Sequence, residues 1–308
     1  MRAAGIERFG GEVRMLELPA PGSPAPDELV ISVRAAGVAN WDEFVRSGQW
    51  DVGRQPPMAL GVAAAGVVES VGDNVTTAAP GDDVLTHPVP LQDQGTWAER
   101  LVAPAAAVAP KPSGVPWEDA AAFPVPALTA DQALAEVAPD PDGDWVLVHG
   151  AGGVTGGLIV QLAAARGATV VATAGPSSAA RVVGYGAALV LDYHDPEWPT
   201  RVREESPDRR GVAAAINAAP GGAALALKAV ADRGRLATIT GDPPARERGV
   251  NVSDLYVRAD GAALAVLATA LDEGLLSVAV AARLRLTDAA AALDSAVSGR
   301  GGAVVLVP

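Results

Sequence analysis

The residues best placed to do chemistry form one glycine-rich stretch, Trp145-Val-Leu-Val-His-Gly-Ala-Gly-Gly-Val-Thr-Gly-Gly-Leu-Ile-Val-Gln-Leu-Ala163. It reads as a buried strand, a tight turn and a helix in immediate succession. Glycine lets the main chain turn sharply and approach a phosphate, and the helix that follows adds N–H groups and the positive end of its dipole. The strict G-x-G-x-x-G pattern fails, because its last position is Thr155; Gly150, Gly153 and Gly156 instead recur at every third position. In this strand–turn–helix setting the residues predicted to hold a dinucleotide pyrophosphate are Gly150, Gly152, Gly153, Val154, Thr155 and Gly156.

The next strand says which dinucleotide. A site that selects NAD ordinarily sets a carboxylate about 20 residues past the turn, on the ribose 2′-hydroxyl. No Asp or Glu occurs between Trp145 and Leu191, although the chain has 36 acidic residues. Thr173, Ser177, Ser178 and Arg181 stand there instead. Hydroxyls and a guanidinium are the donors a 2′-phosphate needs, so NADPH is the expected cofactor. A plain solvated arginine on a helix is the competing account of Arg181.

The elements that must hold these residues follow from the pattern around them. A chain of 308 residues is long for one domain and predicts two. The first 115 or so residues are short β-type runs at 29–33, 66–71 and 83–85, punctuated by Pro and Gly. Ala-rich helices are expected at 118–123 and 127–137, then a turn at 139–143. Strands at 145–149, 168–173, 189–191, 212–216 and 235–240, with helices between several of them, predict a doubly wound parallel sheet. The tail reads as a helix at 262–273, a strand at 282–286, a helix at 287–297 capped by Thr287 and a strand at 303–307, and it can return to complete the first domain. The fold class is therefore α/β.

Composition closes off other classes. With 49% apolar and 19% charged residues the chain is globular, and no apolar run reaches the roughly 20 residues a membrane helix needs. Arg2, Glu7 and Arg8 interrupt the start where a secretory signal would be apolar, so the expected location is cytoplasmic. A net charge of −13 disfavours nucleic acid as a partner. The absence of cysteine removes thiolate catalysis and cysteine-rich zinc sites, and His87, His149 and His194 are scattered, so no metal is expected.

Met1-Arg-Ala-Ala4 with Phe9-Gly-Gly11, Ala35-Ala-Gly-Val38, Asp42 with Arg46-Ser-Gly48, Gly66-Val-Val-Glu-Ser-Val-Gly72, Pro80-Gly-Asp82, Ala120-Ala-Ala-Phe-Pro124 with Leu128-Thr-Ala130, the glycine turn, Leu191-Asp-Tyr193 and Val304-Val-Leu-Val-Pro308 follow one another along the whole chain. In this order they resemble the quinone oxidoreductase (zeta-crystallin-like) branch of the zinc-independent medium-chain dehydrogenase/reductases. The resemblance implies a GroES-like β-rich catalytic domain at 1–120 and 262–308 and a Rossmann NADPH-binding domain at 121–261. It also implies that Tyr193 lies near the adenosine phosphate, Thr129 near the nicotinamide amide, and Asn217, Thr240 and Gly241 along the nicotinamide rim. A homodimer is implied as well.

The implied reaction is hydride transfer from NADPH to a quinone or α,β-unsaturated carbonyl, a small molecule that supplies its own electron sink and needs no metal to polarise it. The chain departs from the family pattern at the substrate side. Ala39 stands where an Asn is common, with Asn40 displaced by one, and Trp50 stands where a Tyr is common. Asn40, Trp50, His87 and Thr129 are the candidate catalytic residues, with Trp41 and Trp50 as walls of an apolar pocket; His87 is expected to donate a proton. Core or surface packing is the competing account of the two tryptophans and of His87. Two other functions stay open: a carbonyl reductase or alcohol dehydrogenase, and a redox-inactive protein that binds NADPH as a sensor or scaffold.

Overall fold

The computed structural model describes residues 1–140, 143–299 and 301–308, so the turn expected at 139–143 lies partly outside the described residues. The elements of the first stretch are β1 (Arg2–Ile6), β2 (Arg14–Glu17), β3 (Glu28–Val38), α1 (Trp41–Ser47), β4 (Met58–Ala59), β5 (Ala64–Val71), β6 (Asp83–Thr86), β7 (Arg100–Pro104), β8 (Val108–Pro110), α2 (Trp117–Ala122) and α3 (Pro124–Val137). There follow β9 (Trp145–His149), α4 (Val154–Ala165), β10 (Thr169–Thr173), α5 (Pro176–Gly184), β11 (Leu189–Leu191), α6 (Trp198–Glu205), β12 (Val212–Asn217), α7 (Ala223–Ala229), β13 (Val230–Thr238) and β14 (Asn251–Asp254). The tail holds α8 (Gly261–Asp272), β15 (Val280–Arg285), α9 (Ala289–Val297) and β16 (Ala303–Val307). The chain divides into two compact units, Met1–Leu128 with Arg258–Pro308, and Thr129–Val257.

The first unit is built on β3, whose Leu29, Val30, Ile31, Val33, Ala35, Ala36 and Val38 are all buried. Both edges of this strand are paired: β5 runs along one, and the other is shared by β7, against Glu28–Ser32, and by β16, which arrives from the far end of the sequence and pairs Val304 with Val38. The sheet runs β15-β16-β3-β5-β6-β8, with β7 also on β3. Registers Ala36 with Ala64 and Ala64 with Thr86 put the carboxyl end of β3, the amino end of β5 and the carboxyl end of β6 at one end of this sheet. That end is closed by Trp97, fully buried, whose indole N–H donates to the Gly37 carbonyl at 2.9 Å. Gly61 sits against it at φ 91°, and a Cβ there would fall 2.2 Å from the Trp97 ring, so only glycine fits.

The second unit is a six-stranded parallel sheet in the order β11-β10-β9-β12-β13-β14. Counted within the unit that is 3-2-1-4-5-6, the doubly wound order, in which the winding direction reverses between the first and fourth strands. Strands β9, β10 and β12 are buried nearly throughout, as inner strands covered on both faces require. Under them Trp198 packs with Leu147, Val171, Leu191, Val202 and Leu227 in the apolar core.

Two local expectations change. The strand expected at 235–240 starts earlier and ends at Thr238; Arg233, at φ 63°, lets the chain pass through Asp232-Arg-Gly234 without leaving the strand, with its N–H donating to the Arg248 carbonyl. Thr287 does not cap a helix. It lies in a single 3₁₀ turn, 286–288, and α9 begins two residues later, at Ala289.

Candidate functional site

The carboxyl ends of the parallel strands bring one group of expected residues together. Thr173 pairs in register with His149, and Asn217 pairs with both His149 and Thr238, so the residues that follow β9, β10, β12 and β13 leave the same edge, at the point where the winding reverses. Gly150 turns the chain there at φ 88°, where a Cβ would lie 2.8 Å from the Ala218 carbonyl carbon and the Ala219 nitrogen. Gly156 is needed for a different reason: its Cβ would fall 2.2 Å from the Gly150 carbonyl oxygen, so helix α4 can approach the turn this closely only without a side chain. Gly153 caps α4, no side chain caps it in addition, and it is exposed, as a loop that offers its N–H groups to an anion should be. Val154 and Thr155 are the first two helical residues. A dinucleotide pyrophosphate fits this cradle.

Arg181 ties the second helix to the loop. From α5 its Nη2 donates to the Gly152 carbonyl at 2.8 Å, which holds the guanidinium beside the turn. Ser177 is exposed at the start of α5. Ser178 is buried and its hydroxyl donates to the Gly175 carbonyl at 3.2 Å; a Cβ on Gly152 would lie 2.5 Å from that hydroxyl. Thr173 is wholly buried. Its hydroxyl lies 2.6 Å from His149 Nδ1 and accepts from the Gly150 N–H, so it shapes the turn from beneath. Tyr193, half exposed, leans on Gly175 with His194 tilted against it, 4.0 Å between ring centroids.

The rim at Asn217 has a partner that sequence reasoning missed. The Asp242 carboxylate accepts from the hydroxyls of Thr238 and Thr240 at 2.6 Å each, from the Asn217 amide at 3.3 Å and from the Ala223 N–H at 3.2 Å. Burial alone would raise this carboxyl, but those donors outweigh it and hold it below the usual carboxylate range. Asn217 thus has its amide spent on Thr238, Thr240 and Asp242, and its oxygen accepts from the Ala219 N–H. The alternation Thr238-x-Thr240-x-Asp242 past a strand end was the available signal. His149 stacks on Trp198 at 4.6 Å, and burial lowers its pKa to about 4, so it is neutral. Gly241, at φ 69°, is exposed beside them.

The remaining candidates lie in the first unit, except Thr129, which is nearly buried on α3. Asn40 is exposed and precedes α1 without capping it through its side chain. Trp41 and Trp50 are half-buried at the two ends of the segment that follows β3. His87, directly after β6, is fully buried, and its Nδ1 lies 2.7 Å from the Val62 carbonyl. A carbonyl only accepts, so Nδ1 carries the proton and Nε2 presents a lone pair. Burial moreover lowers its pKa. The expected proton donor is therefore an acceptor, and the difference arises because Val62 fixes the tautomer. Asp42, one residue into α1, is also fully buried, and its Oδ2 accepts from the Ala39 N–H at 2.8 Å. Burial pushes its carboxyl up to about 8. Among the described residues no group of three or more His, Cys, Asp or Glu is arranged to hold a metal ion.

The chain is similar to two described protein families and to several known proteins. Residues 25–113 match the family described as alcohol dehydrogenase GroES-like domain, and residues 185–305 the family described as zinc-binding dehydrogenase. Human quinone oxidoreductase is 33% identical over 210 residues, 66% of this chain and 62% of that protein. The chain spans only part of other curated relatives, 51% of the length of one from rat and 38% of one from mouse. Across the whole of both chains the fold superimposes on an NAD-dependent alcohol dehydrogenase with a TM-score of 0.89 at 30% identity, and on a mycobacterial protein solved in complex with NADPH with a TM-score of 0.86 at 31% identity.

Proposed function

The chain belongs to the quinone oxidoreductase branch of the medium-chain dehydrogenase/reductase family, and on that premise we propose that it is an NADPH-dependent reductase of quinones or α,β-unsaturated carbonyls. The observation that carries this reading is the glycine turn at 150–156, opening onto α4 with Arg181 tied to Gly152 and no carboxylate at the end of β10. The α4 N–H groups of Val154 and Thr155 take the pyrophosphate, and Arg181 with Ser177 takes a 2′-phosphate. Tyr193 lies along the adenosine side. Thr240 and Gly241 border the nicotinamide side, with Asn217 held for them by Asp242, while Thr129 meets the amide. Bound there, NADPH supplies a hydride; with one proton taken up in addition, an enone becomes the saturated carbonyl and a quinone the hydroquinone. Trp41 and Trp50 give a flat, apolar substrate surfaces to stack on.

Two neighbours of this chain carry names that imply different cofactors, NAD in one and NADPH in the other. The missing carboxylate and the placement of Arg181 support NADPH here. The open edges of the nucleotide sheet, β11 and β14, support association into a homodimer, which sedimentation would test. The function is tested by following NADPH and NADH absorbance with a quinone, an aliphatic enone and an aldehyde, with and without chelator. Chelator-insensitive, NADPH-preferring turnover of quinone or enone is expected. Chelator-sensitive aldehyde reduction would replace the reading by an alcohol dehydrogenase, and tight NADPH binding without turnover of any acceptor by a sensor.

A further inference from the structure

The network around Asp242 lies wholly within the second unit and does more than brace Asn217. A dinucleotide held at the switch point of a doubly wound sheet sends its two halves in opposite directions from the pyrophosphate. The sheet runs β11-β10-β9-β12-β13-β14. With the glycine turn after β9 and Arg181 on the helix after β10, the nicotinamide half falls to the other side, across β12 and β13. The carboxyl ends of those two strands are Asn217 and Thr238, and Thr240 and Asp242 come just beyond.

Asp242 is half-buried there and accepts from four donors. The hydroxyls of Thr238 and Thr240, each at 2.6 Å, and the Asn217 amide at 3.3 Å all reach Oδ1, whereas Oδ2 has the Ala223 N–H at 3.2 Å. The Asn217 amide also donates to the two hydroxyls, at 3.1 and 2.9 Å, which turns their own hydrogens toward the carboxylate. An amide and a backbone N–H can only donate, so the arrangement favours the ionised carboxyl. All four donors are uncharged. They hold a negative charge in place without cancelling it, and His149, the in-register neighbour of Asn217 on β9, is neutral as well. A fixed carboxylate therefore stands on the side of the site that receives the nicotinamide, whose oxidised ring is a cation and whose reduced ring is neutral.

We propose that Asp242 sets the redox preference of this site, its negative charge favouring the positive ring of NADP⁺ over the neutral ring of NADPH. The proposal rests on the nucleotide reading above and adds to it a choice between the two redox forms. In the forward reaction a hydride leaves the ring with its electron pair for the acceptor carbon, the ring is left as a pyridinium, and a proton from water completes the acceptor. The charge that appears on the ring has the sign that Asp242 stabilises. Asp242 acts through its field, as a positioning residue, rather than by contact with the reacting atoms.

The test is calorimetric titration of the whole chain with NADPH and with NADP⁺, which needs no acceptor and no turnover. Asp242→Asn should shift the ratio of the two dissociation constants toward NADPH by about three- to tenfold, the size of a unit charge acting across several ångströms in a half-exposed site. Asp242→Glu, which keeps the charge, should retain most of the parent ratio, and Glu205→Gln, an exposed carboxylate on α6, should leave it unchanged. If Asp242→Asn fails to fold, Asp242→Ser, which is smaller than the carboxylate it replaces, carries the same expectation. Equal weakening of both nucleotides in the neutral variant, or no change in either, with quinone or enone still reduced by the parent, would overturn the proposal and leave the reductase reading standing. A shifted ratio in a protein that reduces no acceptor would keep the proposal and remove the reductase reading. Binding of neither nucleotide by the parent would overturn both.

Discussion

Arg181 lies half-buried beside the turn it would help to charge, with Nη2 on the Gly152 carbonyl. A hydrogen bond to a charged group contributes about 1.5–3 kcal/mol, so Arg181→Ala should raise the KM for NADPH roughly 10- to 100-fold, since 1.4 kcal/mol is a factor of ten. The KM for NADH, which has no 2′-phosphate, should change far less, and Arg181→Lys should fall between. Equal losses for both nucleotides would mean that Arg181 only braces the loop. Two buried groups set opposite pH dependences of stability. His149 is neutral in the fold down to about pH 4 but takes a proton near 6.5 when unfolded, so its contribution is present above about 6.5 and is lost as pH falls toward 4; the full span is on the order of 3 kcal/mol. Asp42, protonated in the fold up to about pH 8 and ionised above about 4 when unfolded, contributes stability that is lost as pH rises across that interval. Urea midpoints should separate them: relative to the parent, Asp42→Asn gains most at pH 8, and His149→Gln loses most at pH 7 and least at pH 4.

At the level of elements, the glycine turn does two jobs that different glycines divide. Gly156 makes helix packing possible, with 2.2 Å between its missing Cβ and the Gly150 oxygen, whereas a Cβ on Gly153 would meet nothing nearer than 3.6 Å. Gly156→Ala should therefore cost about 1–3 kcal/mol of stability through overpacking, visible as a lower melting temperature with or without nucleotide. Gly153→Ala should melt nearly as the parent does but bind NADPH more weakly, because its exposed face is where the pyrophosphate is proposed to lie. If Gly153→Ala leaves binding untouched, the turn is packing alone. This division could not be read from spacing, which treats Gly150, Gly153 and Gly156 alike. The parallel strands were legible because burial on both faces removes alternation, and β9, β11 and β16 occupy the positions their apolar runs predict. What sequence could not supply was side-chain partnership across strands. Asp242 closes a network around Asn217 from 25 residues away, and the His87 tautomer is set by a carbonyl, Val62, that no motif marks.

For the molecule as a whole, charge frames the encounter with an anionic cofactor. The net charge of −13 disfavours nucleic acid as a partner, and the same field opposes the approach of NADPH, with its pyrophosphate and 2′-phosphate. Local attraction comes from the start of α4 and from Arg181, and acts only within a few ångströms of the turn. At low ionic strength the Debye length is about 30 Å, so the whole surface repels the incoming anion; at 0.15 M it is about 8 Å, so distant carboxylates are screened while the turn still acts. The association rate for NADPH, measured by stopped-flow fluorescence, should therefore rise as salt is added from 10 to 150 mM, by about two- to fivefold on the scale of electrostatic rate effects. The dissociation rate should rise as well, because salt would weaken the proposed Arg181–phosphate pair, and the two changes should partly cancel in the equilibrium constant. NADH, less charged by one phosphate, should show a smaller increase in association. An association rate that falls with salt would mean that positive potential reaches well beyond the turn, and that steering rather than repulsion governs how the cofactor finds this acidic protein.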